Sequence, residues 1–350
     1  MMENWEKIYF NPKLKKIQIQ RSRINQLIRA FFKKRGFLEV ETATLVKCAG
    51  QEPYITPMNV SFEDERNRKY KGYLITSPEY SLKKLLVAGF EKIFEITKVF
   101  RSNESFGGIH NPEFTMIEWY RARSNYKEIM KDTEELVCFL NQKINNSNYL
   151  IYQNKKINLT LPWPRLTVKK AFLKYTDIDL DKCQNLKNFK KEIKRNKNLK
   201  DLVNDNDDWN DIFCKIFIDK IEPSLPKDRP IILYDYPLPQ AALAKRKNKN
   251  SFYAERFEVF IAGIELANAF SELTDPKEQY NRFKKEQNLR KKLKKEIIPI
   301  DKDFIRALEL KMPPSGGIAL GIDRLQMLLL NIKDINDLLL FPAKQIFNKS

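Results

Sequence analysis

Residues 100–114 read FRSNESFGGIHNPEF and contain His110, the only histidine among the 350 residues of the chain. The runs on either side, Ile93 to Phe100 and Glu113 to Tyr120, predict two strands of an antiparallel hairpin with an unusually long connection. A lone histidine in a loop of glycines and charged residues raises the question of whether it is a catalytic base. The hairpin itself indicates the fold, because strands joined in this way build antiparallel sheets.

The composition limits the classes of protein to which this chain can belong. A chain of 350 residues, 42% of them hydrophobic, can bury one large core or two ordinary ones. No window approaches the roughly 20 apolar residues of a membrane span, and residues 1–20 are too charged for a signal peptide, so we expect a cytoplasmic protein with no membrane segment. The net charge of +19 leaves two explanations equally open, a polyanionic partner and a general abundance of lysine.

The scarcity of histidine restricts the chemistry. Ser-His-Asp and Cys-His catalysis would both depend on His110, and a centre with several histidine ligands is excluded. The cysteines are far apart in the sequence and are expected to be reduced thiols, not zinc ligands. An enzyme with this composition must therefore work with carboxylates, arginines, lysines and a hard metal ion.

Further elements complete an α+β pattern. Apolar spacing predicts an amphipathic helix over Arg21 to Arg35 that ends at Gly36 and leads into a strand at Phe37 to Thr42. Thr76-Ser77-Pro78-Glu79 combines a hydroxyl cap, an early proline and an acidic first turn, and predicts a helix to about Gly89. A second such signal predicts a helix from Thr274 to about Lys295. Other strands are predicted at Tyr73 to Ile75, Ile231 to Tyr236, Phe257 to Ala262, Ile264 to Phe270 and Ile318 to Gly321. Hairpin-joined strands with helices between groups of them predict an antiparallel sheet flanked by helices.

Two segments carry charged groups in unusual surroundings. Arginine, carboxylate and amide side chains around the loop of residues 100–114 suit a polyphosphate and a base better than they suit packing. In GIELANAFSEL, Gly263 to Leu273, Glu265 and Glu272 lie among apolar neighbours, and a divalent ion carried by nucleotide phosphates would be a suitable partner for them. A flat strand would place these two glutamates on opposite faces, so a shared ion requires a bulge or a helix start.

Two more segments also have a composition that is unusual for a packed core. Gly316 to Arg324 supplies small residues that let a flat ligand approach the backbone, and then an arginine at a helix start. TSPEY, Thr76 to Tyr80, is the fourth segment. Each alone has an ordinary alternative, such as a tight turn or a pair of surface salt-bridge residues, whereas all four in this order are specific.

Together the four segments resemble the catalytic domain of class II aminoacyl-tRNA synthetases from about Arg21 to Pro342. Gly36 to Thr42 resembles the first motif of that family, Phe100 to Glu118 the second, and Gly317 to Arg324 the third. The resemblance implies an antiparallel sheet flanked by helices and a homodimer formed through the first motif. It also implies an N-terminal extension over residues 1–20 and a catalytic domain over residues 21–350, with a more variable region at about 145–230.

Other stretches indicate which branch of this family the chain resembles. TSPEY, YDYPLPQAALAK (Tyr234 to Lys245) and the ending LLLFPA resemble the lysine-type synthetases. Because only about twenty residues precede the helix predicted from Arg21, which leads into the first motif, we expect no recognition of a tRNA anticodon. With Ala319 in GIALGIDRL, the chain resembles most closely the truncated branch that ligates (R)-β-lysine, or lysine, to translation elongation factor P. The alternatives are a truncated lysyl-tRNA synthetase-like enzyme that activates lysine, and a catalytically inactive regulatory protein.

The resemblance implies a site residue by residue. The ATP site is expected to contain Arg101, Glu104, His110, Asn111, Phe114, Glu265, Leu266, Gly321 and Arg324. The amino-acid pocket is expected to contain Ser77, Pro78, Glu79, Glu118, Tyr120, Asn268 and Glu272. Arg101, Glu265 and Arg324 are the expected catalytic residues, and Glu265 with Glu272 is expected to hold Mg²⁺.

The implied reaction answers the question about the histidine. The substrate carboxylate attacks the α-phosphate of ATP, and a lysine amine of elongation factor P then attacks the resulting adenylate. Because a carboxylate is already a nucleophile at pH 7, the first step requires charge neutralisation and alignment but no protein base. We therefore expect His110 to be a neighbour of the nucleotide and not a general base.

Overall fold

The computed structural model describes residues 3–347. The strands of this part are β1 Leu38–Glu39, β2 Leu45–Val46, β3 Met58–Glu63, β4 Lys69–Leu74, β5 Lys92–Phe100, β6 Glu113–Ala122, β7 Tyr149–Tyr152, β8 Lys155–Asn158, β9 Arg165–Thr167, β10 Ile231–Pro237, β11 Tyr253–Ile261, β12 Ile264–Ser271 and β13 Ser315–Gly321. The α-helices are α1 Asn4–Phe10, α2 Pro12–Lys34, α3 Glu79–Val87, α4 Tyr126–Asn145, α5 Val168–Thr176, α6 Leu186–Arg195, α7 Trp209–Ile216, α8 Pro276–Lys292, α9 Lys302–Glu309, α10 Ile322–Leu329, α11 Ile335–Leu338 and α12 Ala343–Phe347.

The main sheet has eight strands in the order β1-β5-β6-β13-β12-β11-β10-β9. Its pairs are antiparallel except at the two edges, where β1 runs parallel to β5 and β9 runs parallel to β10. The predicted α+β class, with an antiparallel sheet flanked by helices, is confirmed. Because β5 and β6 pair along their whole length, the loop of residues 100–114 connects them at one end of the sheet.

One face of the sheet is covered by helices α2, α4 and α10. The ring of Phe32 in α2 lies 5.0 Å from the ring of Trp119 in β6, and both are buried with Ile117 and Leu325 in the main hydrophobic core. Successive side chains of a strand point to opposite faces. Burial of Ile117 and Trp119 against the helices therefore directs the side chains of Glu118 and Tyr120 to the other face.

Helix α2 is longer than predicted. It begins at Pro12, where the side chain of Asn11 accepts a hydrogen bond from the Lys13 amide, because an N-cap and a proline at the first position define a helix start. The expected boundary between residues 20 and 21 thus falls inside α2, and the extension is continuous with the domain. Arg21 from this helix forms an ion pair with buried Asp323 at 2.8 Å, at the start of α10.

The strand predicted from Phe37 to Thr42 was wrong in length, because only β1 at Leu38–Glu39 forms. The amide and hydroxyl of Thr42 donate to the carboxylate of Glu95, at 3.0 and 2.9 Å, and the chain leaves the sheet there. Leu38 is half exposed. The homodimer implied by this motif stays a prediction.

The region predicted to be variable packs around a core of its own. Helices α5, α6 and α7 bury aromatic and aliphatic side chains against β10, and the rings of Phe172 and Phe213 stack at 4.9 Å. This second core lies against the end of the sheet that β10 and the edge strand β9 form. No helix in residues 3–347 is long and apolar enough to cross a membrane.

Candidate active site

Strand register places four side chains in one row across the sheet. Glu118 in β6 pairs with Ala319 in β13, Ala319 pairs with Asn268 in β12, and Asn268 pairs with Glu258 in β11. Directly paired residues of antiparallel strands lie on the same face. The row therefore lies on the face opposite the helix-covered core. The sequence predicted Glu118 and Asn268 as site residues and missed Glu258.

A cavity of about 240 Å³ lies over the middle of this row, where Ala319 and Asn268 line it. Every residue predicted for ATP lines it, namely Arg101, Glu104, His110, Asn111, Phe114, Glu265, Leu266, Gly321 and Arg324. A second cavity, of about 330 Å³, is lined by Glu79 and Phe270, and Asn268 lines both cavities. Of the residues predicted for the amino-acid pocket, only Glu79 and Asn268 line this second cavity, and Ser77 lines a separate cavity of about 580 Å³ together with Glu79. Asn268 thus connects the nucleotide cavity with part of the predicted amino-acid pocket.

The arginines of the first cavity are arranged for an anion. Among the described residues, the Nε atom of Arg101 is buried without a hydrogen-bond acceptor, and its guanidinium lies 5.1 Å from the centre of the Phe114 ring. Burial lowers the pKa of Arg101, while the carboxylates of Glu104 and Glu265 oppose this shift. A buried donor without an acceptor indicates a missing polar partner, and a phosphate oxygen would be a suitable one.

Arg324 is held from the opposite side of the cavity. It lies in the first turn of α10, directly after the small residues of β13. Its Nη1 donates to the backbone carbonyl of Glu265 at 2.7 Å. This contact fixes the arginine beside β12, where its planar group can lie against a flat ligand.

The loop of residues 100–114 orients its own polar groups. Nδ1 of His110 lies 2.8 Å from Oε2 of Glu104, and this hydrogen bond is the main reason that the pKa of Glu104 is lowered. Asn111 donates to the Glu113 carbonyl at 2.6 Å and accepts from the Ala343 amide at 3.0 Å. The side chain of Asn111 therefore ties the loop to α12 while it lines the cavity.

A buried carboxylate defines the floor of the amino-acid pocket. Ser77 Oγ donates to Glu118 at 2.5 Å, and the Tyr120 hydroxyl donates to its other oxygen at 2.9 Å. Burial raises the pKa of Glu118 to about 8, and the nearby Glu79 adds to the rise. Ser77 also accepts from the amide of Glu79 at 3.1 Å, so the start of α3 after Pro78 positions both acids.

Lys83 completes this pocket, although the sequence did not single it out. Its ammonium contacts the carboxylate of Glu79, one turn earlier in α3, and lies 2.5 Å from Oε2 of Glu272. The spacing of four residues between Glu79 and Lys83 in SPEYSLKK is a signal that places the two on one helix face.

A glycine lets the acids of the pocket come together. A Cβ atom on Gly317 would overlap both an oxygen of Glu272 and the ring of Tyr120. Only glycine leaves this space free, which gives the second glycine of the GGIALG segment a specific function in the pocket.

The two glutamates predicted to share a metal ion are separated. A bulge in β12 places Glu265 opposite Phe260 and Ala267 opposite Val259, so the bulge required by the prediction does form. It puts Glu265 on the face that also carries Glu272, but about six strand positions, or roughly 20 Å, separate them. Glu272 is directed instead at Lys83, with its Oε2 2.5 Å from the ammonium group. The structure therefore does not support Glu272 as the second metal ligand.

Glu258 is the carboxylate that the structure places beside Glu265. It lies diagonally opposite Glu265 across the β11–β12 pair, where side chains remain within reach of each other. Burial raises the pKa of Glu258 to about 7; Arg256 opposes this rise and Glu265 adds to it. Glu258 does not line the nucleotide cavity, and its two oxygens contact Arg256 and the Tyr236 hydroxyl. Its position beside Glu265 fits Mg²⁺, which is commonly held by one or two carboxylates together with substrate phosphates. No group of three or more metal-ligating side chains occurs in residues 3–347.

An antiparallel sheet with an arginine-lined cavity beside a carboxylate pocket defines a class II tRNA synthetase domain. The family pattern of tRNA synthetases class II (D, K and N) matches residues 2–345, and the chain belongs to this family.

Its relatives include proteins named lysine–tRNA ligase. Those of Carboxydothermus hydrogenoformans and Moorella thermoacetica are 42% identical over 335 residues and 40% identical over 343 residues, and each match covers 95% of this chain and 66% of the relative. That of Buchnera aphidicola is 43% identical over 339 residues, covering 95% of this chain and 64% of the relative. The chain thus spans slightly less than two thirds of the length of these relatives.

Proposed function

We propose that this protein activates the carboxyl group of lysine, or of a closely similar diamino acid, with ATP to form an aminoacyl-adenylate. One observation carries the proposal: the buried carboxylate of Glu118 lies next to Ala319 in the row across the sheet, and Ala319 lines the arginine-lined cavity. Carboxylates are the natural partners of ammonium groups, and arginines of phosphates. A diamino acid and a nucleoside triphosphate would therefore meet between the two subsites.

The residues supply alignment and charge. With the substrate ammonium groups held by Glu79 and Glu118, the substrate carboxylate points toward the α-phosphate of ATP beside Arg101. Its oxygen forms a bond to phosphorus, and the bond to the β-phosphate bridging oxygen breaks to release pyrophosphate. Arg101 and Arg324 stabilise the negative charge on the phosphates. Mg²⁺ held by Glu258 and Glu265 would neutralise further charge on the phosphate oxygens.

Amino-acid-dependent exchange of labelled pyrophosphate into ATP tests this step. Lysine or (R)-β-lysine should support exchange, whereas alanine and leucine should not. An Arg101→Ala variant provides the control that ties exchange to the cavity. Failure of both diamino acids to support exchange by the wild-type protein would overturn the proposal.

The acceptor of the activated amino acid is a separate question. The names of the relatives favour a tRNA, and this is the first acceptor to test. Incubation with ATP, labelled lysine and tRNA, followed by acid precipitation, should show RNA-bound label. Label that stays free in the presence of active adenylate formation would exclude this acceptor.

Ala319 favours a second acceptor, a lysine side chain of translation elongation factor P. Its methyl group lies in the row between Glu118 and Asn268 and packs against Ile75, Val99 and Met116. A methyl group at this position reshapes a close-packed pocket, and it matches the branch of the family that modifies elongation factor P. Purified factor incubated with ATP and (R)-β-lysine should gain the mass of one β-lysyl group. An unchanged mass would exclude this acceptor.

A further inference from the structure

Lys83 is buried against two of the carboxylates predicted for the amino-acid pocket. Its side chain has no exposed surface, and its ammonium group contacts carboxylates from two different elements, Glu79 of α3 and Glu272 just after β12. The rings of Phe270 and Phe304 lie 5.1 and 5.9 Å from the ammonium nitrogen and separate it from water. An ammonium group in such surroundings stays charged only because the carboxylates compensate it.

The contacts of Lys83 fix the orientation of two carboxylates of the pocket. Glu79 and Glu272 each direct an oxygen toward the lysine, so their orientation depends on it. Glu118 is oriented separately, by Ser77 and Tyr120. The pocket thus contains three carboxylates, of which two are held by an internal cation.

We propose that Lys83 is a positioning residue that sets the charge of the amino-acid pocket and so determines its preference for a substrate with two ammonium groups. The inference rests on the proposed function and deepens it. With all three carboxylates ionised, the internal ammonium leaves two negative charges, and a diamino acid brings two ammonium groups. A substrate with one ammonium group leaves one buried negative charge without compensation, which is unfavourable.

The test compares three single variants in the pyrophosphate exchange assay. Lys83→Met removes the charge, Lys83→Arg retains it, and Lys84→Met is the matched control, since Lys84 is the next residue in α3 and pairs with Asp301 at 2.7 Å. In Lys83→Met the KM for lysine should rise about tenfold or more, while the KM for ATP stays within about twofold. Lys83→Arg should recover much of this loss, and Lys84→Met should leave both KM values unchanged.

A double variant tests the charge of the pocket directly and should fold even where the single variant does not. Removal of one member of a buried ion pair is strongly destabilising, whereas removal of both members is tolerated better. Lys83→Met combined with Glu272→Gln restores two negative charges and should show a lower KM for lysine than Lys83→Met alone. Thermal denaturation of each variant reports the folded fraction.

The outcomes separate the two proposals. A Lys83→Met protein with a lower melting temperature but an unchanged KM for lysine would show a purely structural residue and overturn the inference alone. A double variant no better than the single variant would overturn the charge argument. Absence of exchange in the wild-type protein would overturn the proposed function, and with it the substrate preference that we attribute to Lys83.

Discussion

The Nδ1 atom of His110 lies 2.8 Å from a carboxylate oxygen of Glu104, six residues earlier in the same loop. One ring nitrogen is thereby engaged inside the protein, and the pair lines the cavity predicted for the nucleotide. This geometry agrees with a histidine that helps to shape the loop. It gives no reason to assign proton transfer to His110.

Replacement of the histidine should therefore have a moderate effect. We expect His110→Asn to raise the KM for ATP by several-fold, because the hydrogen bond to Glu104 is weakened while the arginines of the cavity remain. Arg101→Lys should be far more damaging, about a hundredfold in kcat/KM for ATP, because a lysine cannot reproduce the planar donor geometry. Pyrophosphate exchange at varied ATP measures both. Complete inactivity of His110→Asn with normal ATP binding would show that the histidine is essential to the chemistry.

Binding of lysine should release a proton near neutral pH. Burial raises the pKa of Glu118 to about 8 in the empty pocket, so this carboxyl group is largely protonated at pH 7. A substrate ammonium favours the ionised form, lowers the pKa and expels the proton. Affinity for lysine should consequently increase as the pH rises toward about 8.

Calorimetry in two buffers of different ionisation enthalpy measures the proton released. Glu118→Gln should release fewer protons than the wild-type protein at pH 7 and bind lysine more weakly. Equal affinity of the wild-type protein for lysine at pH 6 and pH 8 would contradict the assignment.

The magnesium requirement should depend on Glu258 and not on Glu272. Glu258→Gln should raise the Mg²⁺ concentration for half-maximal exchange about tenfold, because it removes a carboxylate beside Glu265. Glu272→Gln should instead raise the KM for lysine, and Glu255→Gln, three positions along β11, serves as the control. A changed magnesium requirement in Glu272→Gln alone would restore the pairing expected from the sequence.

Gly317→Ala should damage the amino-acid pocket while sparing the nucleotide site. The added methyl group would overlap Glu272 and Tyr120, and overpacking of this kind costs about 1–3 kcal/mol of stability. The KM for lysine should rise and the KM for ATP should change little. Gly321→Ala is the comparison, since its nearest neighbour would lie at an ordinary contact distance of 3.6 Å; equal melting temperatures of the two variants would argue against close packing at Gly317.

Local patterns were enough to predict most of the sheet. The predicted strand at Ile93 to Phe100 became β5 at Lys92–Phe100, and that at Ile264 to Phe270 became β12 at Ile264–Ser271. Alternation and turn residues are properties of neighbouring positions, which explains this success. The strand predicted at Phe37 to Thr42 was wrong in length because Thr42 bonds to Glu95, which lies 53 residues away in the sequence.

The site was less accessible to sequence reasoning. Motif order gathered the residues around the nucleotide cavity, but the position of Glu258 depends on strand register, and register is not visible in one strand. The bulge at Glu265 likewise becomes apparent only when β11 and β12 are paired. Lys83 was overlooked because a lysine in a helix is most often a surface residue, and its partner Glu272 is distant in the sequence.

The row Glu118–Ala319–Asn268–Glu258 sets fixed distances across the sheet. Adjacent strands lie about 4.8 Å apart, so three spacings place its ends roughly 14 Å from each other. Backbone hydrogen bonds set this length, and no single side-chain substitution can change it. Ala319 and Asn268, which line the cavity predicted for the nucleotide, lie about 5 and 10 Å from Glu118 on this scale. We therefore expect a diamino acid with a shorter chain, held at Glu118, to bring its carboxylate less far into that cavity, so that the spacing of the strands would discriminate between ornithine and lysine.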